Sequence, residues 1–205
     1  MLTIVDYGVG NLASIKNMLK KAGKDALISS DPDAISEADK LILPGVGAFD
    51  TCAEKLGQSG LTGILNKKVL EEGTPVLGVC VGMQLLMEGS EEGSLPGLGW
   101  IKGRVVRFRQ ERLPAGWKVP HMGWTDIVVR KPSPLFEGMY AEPRFYFVHS
   151  YHPDPANEED VLVEADYGYR FVAGMEHGNI AGVQFHPEKS HKFGLRLFSN
   201  FVSNY

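Results

Sequence analysis

The stretch TPVLGVCVGMQLLME, Thr74 to Glu88, decides how the rest of the chain is read. Pro75 to Val79 is a short apolar run of strand length, and from Val81 onward the pattern is helical. The order is therefore strand, then Gly-x-Cys-x-Gly, then a helix over 81–88. A corner this sharp lifts its central side chain above the sheet. Glycines two residues away on either side, Gly78 and Gly82, remove the side chains that would collide there. Cys80 then sits at the tip of a thiol elbow, where the unpaired N–H groups and dipole of the following helix favour a thiolate. A buried cysteine beside a helix-packing glycine fits the same residues, so the rest of the chain must supply what a nucleophile needs.

Working outward, the first half of the chain alternates strand and helix patterns. LTIVD, DALIS, KLILP and PVLGV are short β-rich runs, and NLASIKNMLKKAG and the stretch from Ala48 to Leu70 have helical spacing. This alternation predicts a mostly parallel sheet flanked by helices. After Gly93 strands follow in close succession, in GWIKGRVVRF, WTDIVVR, RFYFVHS, DVLVEA, RFVAGMEHG and NIAGVQF. Seven of the twelve prolines fall between Pro114 and Pro155, which predicts an antiparallel-rich second half. The last sixteen residues return to helix, with Phe193, Leu197 and Phe201 on one stripe and Phe198 and Val202 beside it. No repeat or linker interrupts the pattern, so one open, mixed α/β domain over 1–205 is expected.

Composition narrows the function classes. A chain of 205 residues, 43% hydrophobic, is long enough to bury a full core. Its formal charge of −4 leaves no basic footprint for nucleic acid. The N-terminus lacks the pattern of a signal peptide and no apolar run is long enough to span a membrane, so a cytoplasmic protein is expected. Cys52 and Cys80 are too few for a disulfide framework. Cys52, in AFDTCAEKL, has no glycine bracket and reads as a small packing residue on a helix.

A cysteine nucleophile needs a base and a group to orient it. In GVQFHPEKS, His186 and Glu188 are two apart in an extended reading, so they point the same way and Pro187 stiffens the link. Cys80, His186 and Glu188 thus match a triad in residue type. A surface His-Pro-Glu turn has the same letters. A zinc site from His149, His152, His186 and Cys80 is disfavoured because no pair has the tight spacing of structural zinc ligands. Acyl chemistry also needs N–H donors for an oxyanion. The backbone of Val81 is one candidate, and LPGVGAF supplies a second in Val46 or Gly47, with Gly45 letting that backbone approach a ligand closely. A simple helix-opening turn is the alternative.

Together, PGVGAF, GVCVGMQ and FHPEKS, in this order and at these separations, resemble the class I, triad-type glutamine amidotransferases. The resemblance spans nearly the whole chain. VDYGVGNLASIKNML, VPHMGW, FYFVHSY and HPEKS are most similar to the branch that supplies the glutaminase subunits of imidazole glycerol phosphate synthases in histidine biosynthesis. Val81 departs from the leucine more usual after the nucleophile, which touches only a backbone role. The resemblance implies glutamine hydrolysis through a cysteinyl thioester on Cys80, with no cofactor and no metal. It implies substrate contacts at Gln84, at Ser150 and Tyr151, and at Glu92, with neighbouring Glu91 leaving that last assignment open by one residue. It also implies a heterodimer with a cyclase subunit, and places Asn11, Tyr146 and Lys189 near that interface. The chain has no room for a (β/α)₈ barrel of about 250 residues, so a synthase requires a second polypeptide. A free-standing γ-glutamyl hydrolase, a glutaminase serving another acceptor and a binding subunit without catalysis are the competing readings.

Overall fold

A computed structural model describes residues 1–205. The strands are β1 (Leu2–Val5), β2 (Leu27–Ser29), β3 (Lys40–Gly45), β4 (Val76–Cys80), β5 (Gly103–Arg107), β6 (His121–Val129), β7 (Arg144–His149), β8 (Tyr151–Pro155), β9 (Val161–Asp166), β10 (Arg170–His177) and β11 (Ile180–Val183). The helices are α1 (Leu12–Lys21), α2 (Pro32–Ser36), α3 (Phe49–Gln58), α4 (Thr62–Asn66), α5 (Val81–Gln84) and α6 (His191–Asn204).

Nine strands form one sheet in the order β2-β1-β3-β4-β11-β10-β9-β6-β7. From β2 to β11 every pairing is parallel, and from β11 to β7 every pairing is antiparallel. The change falls where the sequence changes texture. β3 and β4 are nearly all buried and apolar because helices cover both faces of a parallel sheet. Helix α1 packs with α6, and α2 packs with α4. Right-handed crossovers put these two pairs on opposite faces. In α6 the predicted stripe is buried at Phe193, Leu197, Phe198 and Phe201, while Val202 is half-buried at its edge. Burial of each such side chain is worth about 1.5–3 kcal/mol.

Two elements escape the sequence reading. Helix α2 is a single short stretch, started by Pro32 and by the Asp31 carboxylate accepting from the Asp33 N–H. Strand β8, YHPDP, carries two prolines and is tolerated because it pairs only with β5 in a separate two-stranded ribbon.

The parallel strands direct their C-terminal ends to one edge, where ligands bind in open α/β sheets. Gly45, Cys80 and the segment after Val183 meet there, since Gly45 pairs with Cys80 and Val183 with Val79. Phe185 stacks on Phe145 at 4.0 Å between ring centres and meets Phe147 edge-on, which clamps the residue just before His186 against β7.

Candidate active site

Cys80 ends β4 with φ 55° and ψ −117°, a backbone conformation that side chains other than glycine rarely adopt. Such strain costs about 1–3 kcal/mol and persists only where the surroundings impose it. The glycines around it explain how. A Cβ on Gly82 would lie 1.9 Å from the Leu43 carbonyl oxygen, and one on Gly78 would lie 2.6 Å from Met83 Cα. Gly45 completes the close approach, with a Cβ there falling 2.4 Å from the Gly82 nitrogen. Its role is therefore to let the elbow pack on β3. Gly45 itself is not among the residues that line the cavity.

The predicted helix over 81–88 is shorter than expected. Regular α-helix covers only Val81–Gln84. Leu86 and Met87 then bond three residues back in tighter turns, and the Glu88 N–H turns away to the Gly103 carbonyl on β5. One turn of helix carries little macrodipole, so the thiol depends more on its neighbours than on the helix end.

The chief neighbour is His186. Its Nδ1 lies 2.8 Å from Glu188 Oε1, with both side chains almost wholly buried. The contact does not arise from an extended segment as the sequence suggests. β11 ends at Val183, and Pro187–Lys189 forms a 3₁₀ turn that folds the carboxylate back onto the imidazole. Backbone bonds fix the ring: the His186 N–H donates to the Tyr146 carbonyl, and the Ser190 hydroxyl donates to the His186 carbonyl. The Asn11 amide donates to the same Glu188 oxygen at 3.5 Å. Burial alone pushes the His186 imidazole down, but hydrogen bonds and charge from Cys80 and Glu188 outweigh it and raise the group to about 10. At neutral pH this arrangement favours the imidazolium form of His186.

Cys80 and His186 line one cavity of about 350 Å³ with Val46, Gly47, Val81, Gln84, Glu92, Ser150, Tyr151 and Lys189. Glu92 faces it and accepts from the Phe49 N–H at the start of α3, 2.9 Å away. Glu91 instead bonds the Arg107 N–H and the Arg109 guanidinium outside the cavity. Of the two acids, Glu92 is the one that lines the cavity. Asn11 and Tyr146 do not line the cavity, but stand beside residues of the His186 segment. Lys189 lies over the Tyr146 ring at 5.7 Å. Cys52 does more than pack: its thiol donates to the Val46 carbonyl at 3.3 Å. In a trans peptide this turns the Gly47 N–H away from the buried Cys52. Neither Val46 nor Gly47 gives its N–H to a backbone acceptor in the chain.

Sequence reasoning missed Pro120, Val148 and His149 in the cavity wall and Gln184 behind it. His149 is held between His121 and the Tyr151 carbonyl. Burial lowers His121 to about 4 and also lowers His149 and His152. Imidazoles in the unfolded chain titrate near 6.5, so below that pH the unfolded state binds protons that the folded state refuses. The stability that His121, His149 and His152 contribute is therefore full above about pH 6.5 and is lost as pH falls toward 4. The urea midpoint is expected to drop between pH 6.5 and 5, and the drop to be smaller in His121→Gln, whose midpoint is lower throughout.

The family model for glutamine amidotransferase class-I matches residues 3–204. Imidazole glycerol phosphate synthase subunit HisH 2 of Methanococcus maripaludis is 49% identical over 202 residues, covering 98% of each chain. The protein of the same name from Pseudomonas aeruginosa is 49% identical over 204 residues, again covering 98% of each. A solved structure of a glutamine amidotransferase superposes with a TM-score of 0.72 at 23% identity, covering 98% of this chain and 96% of the other. That last likeness shows the fold.

Proposed function

The chain belongs to the class I glutamine amidotransferases, and within them to the HisH subunits of imidazole glycerol phosphate synthase; on that footing we propose that residues 1–205, as one domain, hydrolyse glutamine at Cys80 and pass the ammonia to a cyclase subunit. The observation that carries the reading is the strained Cys80 opening on the same cavity as the buried His186–Glu188 pair. The Cys80 thiolate attacks the side-chain amide carbon of glutamine. The tetrahedral oxyanion is held by N–H groups from Val81 and from Val46 or Gly47. His186 gives its proton to the departing nitrogen, and ammonia leaves a thioester on Cys80. His186, now neutral, takes a proton from water, whose oxygen attacks the thioester and releases glutamate. Glu188 keeps the imidazole oriented. Gln84, Glu92, Ser150 and Tyr151 hold the substrate.

Free ammonia is largely protonated in water and diluted by it, so a donor gains by sealing the passage to its acceptor. Asn11, Tyr146 and Lys189, at or beside the His186 segment, are the residues proposed at the cyclase interface of a heterodimer. Lys189 links that face to the cavity. No helix is long and apolar enough to cross a membrane, and the reading puts the enzyme in the cytoplasm.

The test is glutamate release from glutamine by the chain alone, with the cyclase subunit, and with cyclase plus its nucleotide ligand, using Cys80→Ala as blank. Ordering one oxyanion donor changes a rate by roughly 10²–10³, so activation of that order in the full mixture is the expected result. Equal turnover in all three mixtures would replace this reading with a free-standing glutaminase.

A further inference from the structure

Gln184 is fully buried, directly after β11 and two residues before His186, and none of the catalytic steps above uses it. A buried primary amide is costly unless its donors and acceptor are occupied. Its Nε2 lies 3.8 Å from Cys80 Sγ, and its Oε1 accepts from Gln84 Nε2 at 3.0 Å. The direction of these bonds is fixed by a single atom. The Tyr151 carbonyl can only accept, and it takes a bond from His149 Nδ1 at 2.7 Å and from Gln84 Nε2 at 3.4 Å. The nitrogen of the Gln84 amide must therefore face Tyr151 and Gln184, which leaves the Gln184 oxygen as acceptor and turns its N–H toward the sulfur.

The same carbonyl orders the other arm. With its proton on Nδ1, neutral His149 offers Nε2 as an acceptor to His121 Nδ1 at 2.9 Å. His121 Nε2 then accepts from the Thr125 hydroxyl at 2.8 Å. Two hydrogen-bond arms thus converge on one carbonyl next to Ser150. Gln84 Oε1 is buried without a partner, on a residue that lines the cavity.

We infer that Gln184 is a positioning residue for the nucleophile: its N–H steadies the Cys80 sulfur, and its Oε1 holds Gln84 so that the Gln84 oxygen stays free to accept from a ligand. This rests on the glutaminase reading for its catalytic consequence, but the Gln184–Cys80 link can be measured without glutamine. The probe is the rate of Cys80 alkylation by iodoacetamide against pH, on the full chain, with Cys80→Ala as blank. His186, Tyr7 and Cys52 are coupled to Cys80, Glu92, His149 and Lys189 line the same cavity, and all variants below share them.

Gln184→Met, similar in size but without a donor, is expected to move the alkylation midpoint up by about one pH unit, as loss of one N–H bond to a charged acceptor would. In the presence of the cyclase its kcat should fall about tenfold, and its KM for glutamine should rise as Gln84 is released. Gln84→Met removes the bond that orients Gln184 but keeps the Gln184 N–H. It should raise KM and move the alkylation midpoint less than Gln184→Met does. Gln184→Glu keeps the size and the acceptor for Gln84 but sets a carboxylate beside the sulfur, so it too should move the midpoint up, and it decides the matter if Gln184→Met does not fold. A midpoint unchanged in either folded Gln184 variant overturns the inference. Absence of glutamine turnover in the wild-type complex, with the midpoint shifts intact, would instead overturn the glutaminase reading.

Discussion

Replacing His186 with alanine is expected to lower glutamine turnover in the assembled enzyme about 10⁴-fold, at the upper end of what a general acid and base contributes. On the proposed mechanism the imidazole has two duties at different moments, protonating the leaving nitrogen and then activating water. Its Nδ1 is committed to Glu188 at 2.8 Å, so the proton exchanged with substrate must travel on Nε2. The loss should appear in kcat with little change in KM, because the proposed substrate contacts at Gln84, Glu92 and Tyr151 are untouched. The variant should also alkylate more slowly than the wild type at Cys80, since the neighbouring imidazolium has gone. A loss of less than tenfold would mean that another group carries the proton.

Gly82→Val is expected to cost about 3 kcal/mol or more of stability and to abolish turnover, because the cost of overpacking rises when the obstacle is backbone. The added Cβ would lie 1.9 Å from the Leu43 carbonyl oxygen and 2.8 Å from the Pro44 carbonyl carbon. Relief requires β3 and the elbow to separate, which removes the constraint that holds Cys80 at φ 55°. The urea midpoint measures the first effect and glutamate release the second. Gly57, in α3, has nothing within 4 Å of its would-be Cβ, so Gly57→Ala is the control that should leave turnover unchanged and the midpoint no lower. A Gly82→Val chain with wild-type midpoint would show that the close approach is not needed.

Much of this was legible in the sequence, for identifiable reasons. β3 and β4 announce themselves because a strand buried on both faces is a continuous apolar run. The elbow is legible because only glycine fits at Gly78 and Gly82. The length of α5 was not. MQLLME has helical spacing, but the Glu88 N–H and the following backbone are drawn into pairing with β5, a long-range competitor that periodicity does not see. β8 was hidden by its prolines, and α2 by its brevity. At the site, Cys80, His186 and Glu188 were singled out by residue type and order along the chain, and the last two meet through a 3₁₀ turn, not an extended segment. Glu91 and Glu92 were indistinguishable in EGSEEG and separate only when Arg107 and Arg109 claim the first. Gln184, and the place of His149 in the cavity wall, were missed because their partners, His121, Tyr151 and Gln84, are brought together only by the fold. Gln184 carried one signal, its place in the same short segment as His186.

The most direct measurement is the intact mass, with peptide mapping, of the chain incubated with a glutamine-like diazoketone in the presence of the cyclase and its nucleotide. A nucleophile that forms a thioester with glutamine should take up one equivalent of the reagent on Cys80, none on Cys52, and lose glutamate release in proportion. Turnover of glutamine that continues while Cys80 stays unmodified, or while the adduct sits on another residue, would contradict the account.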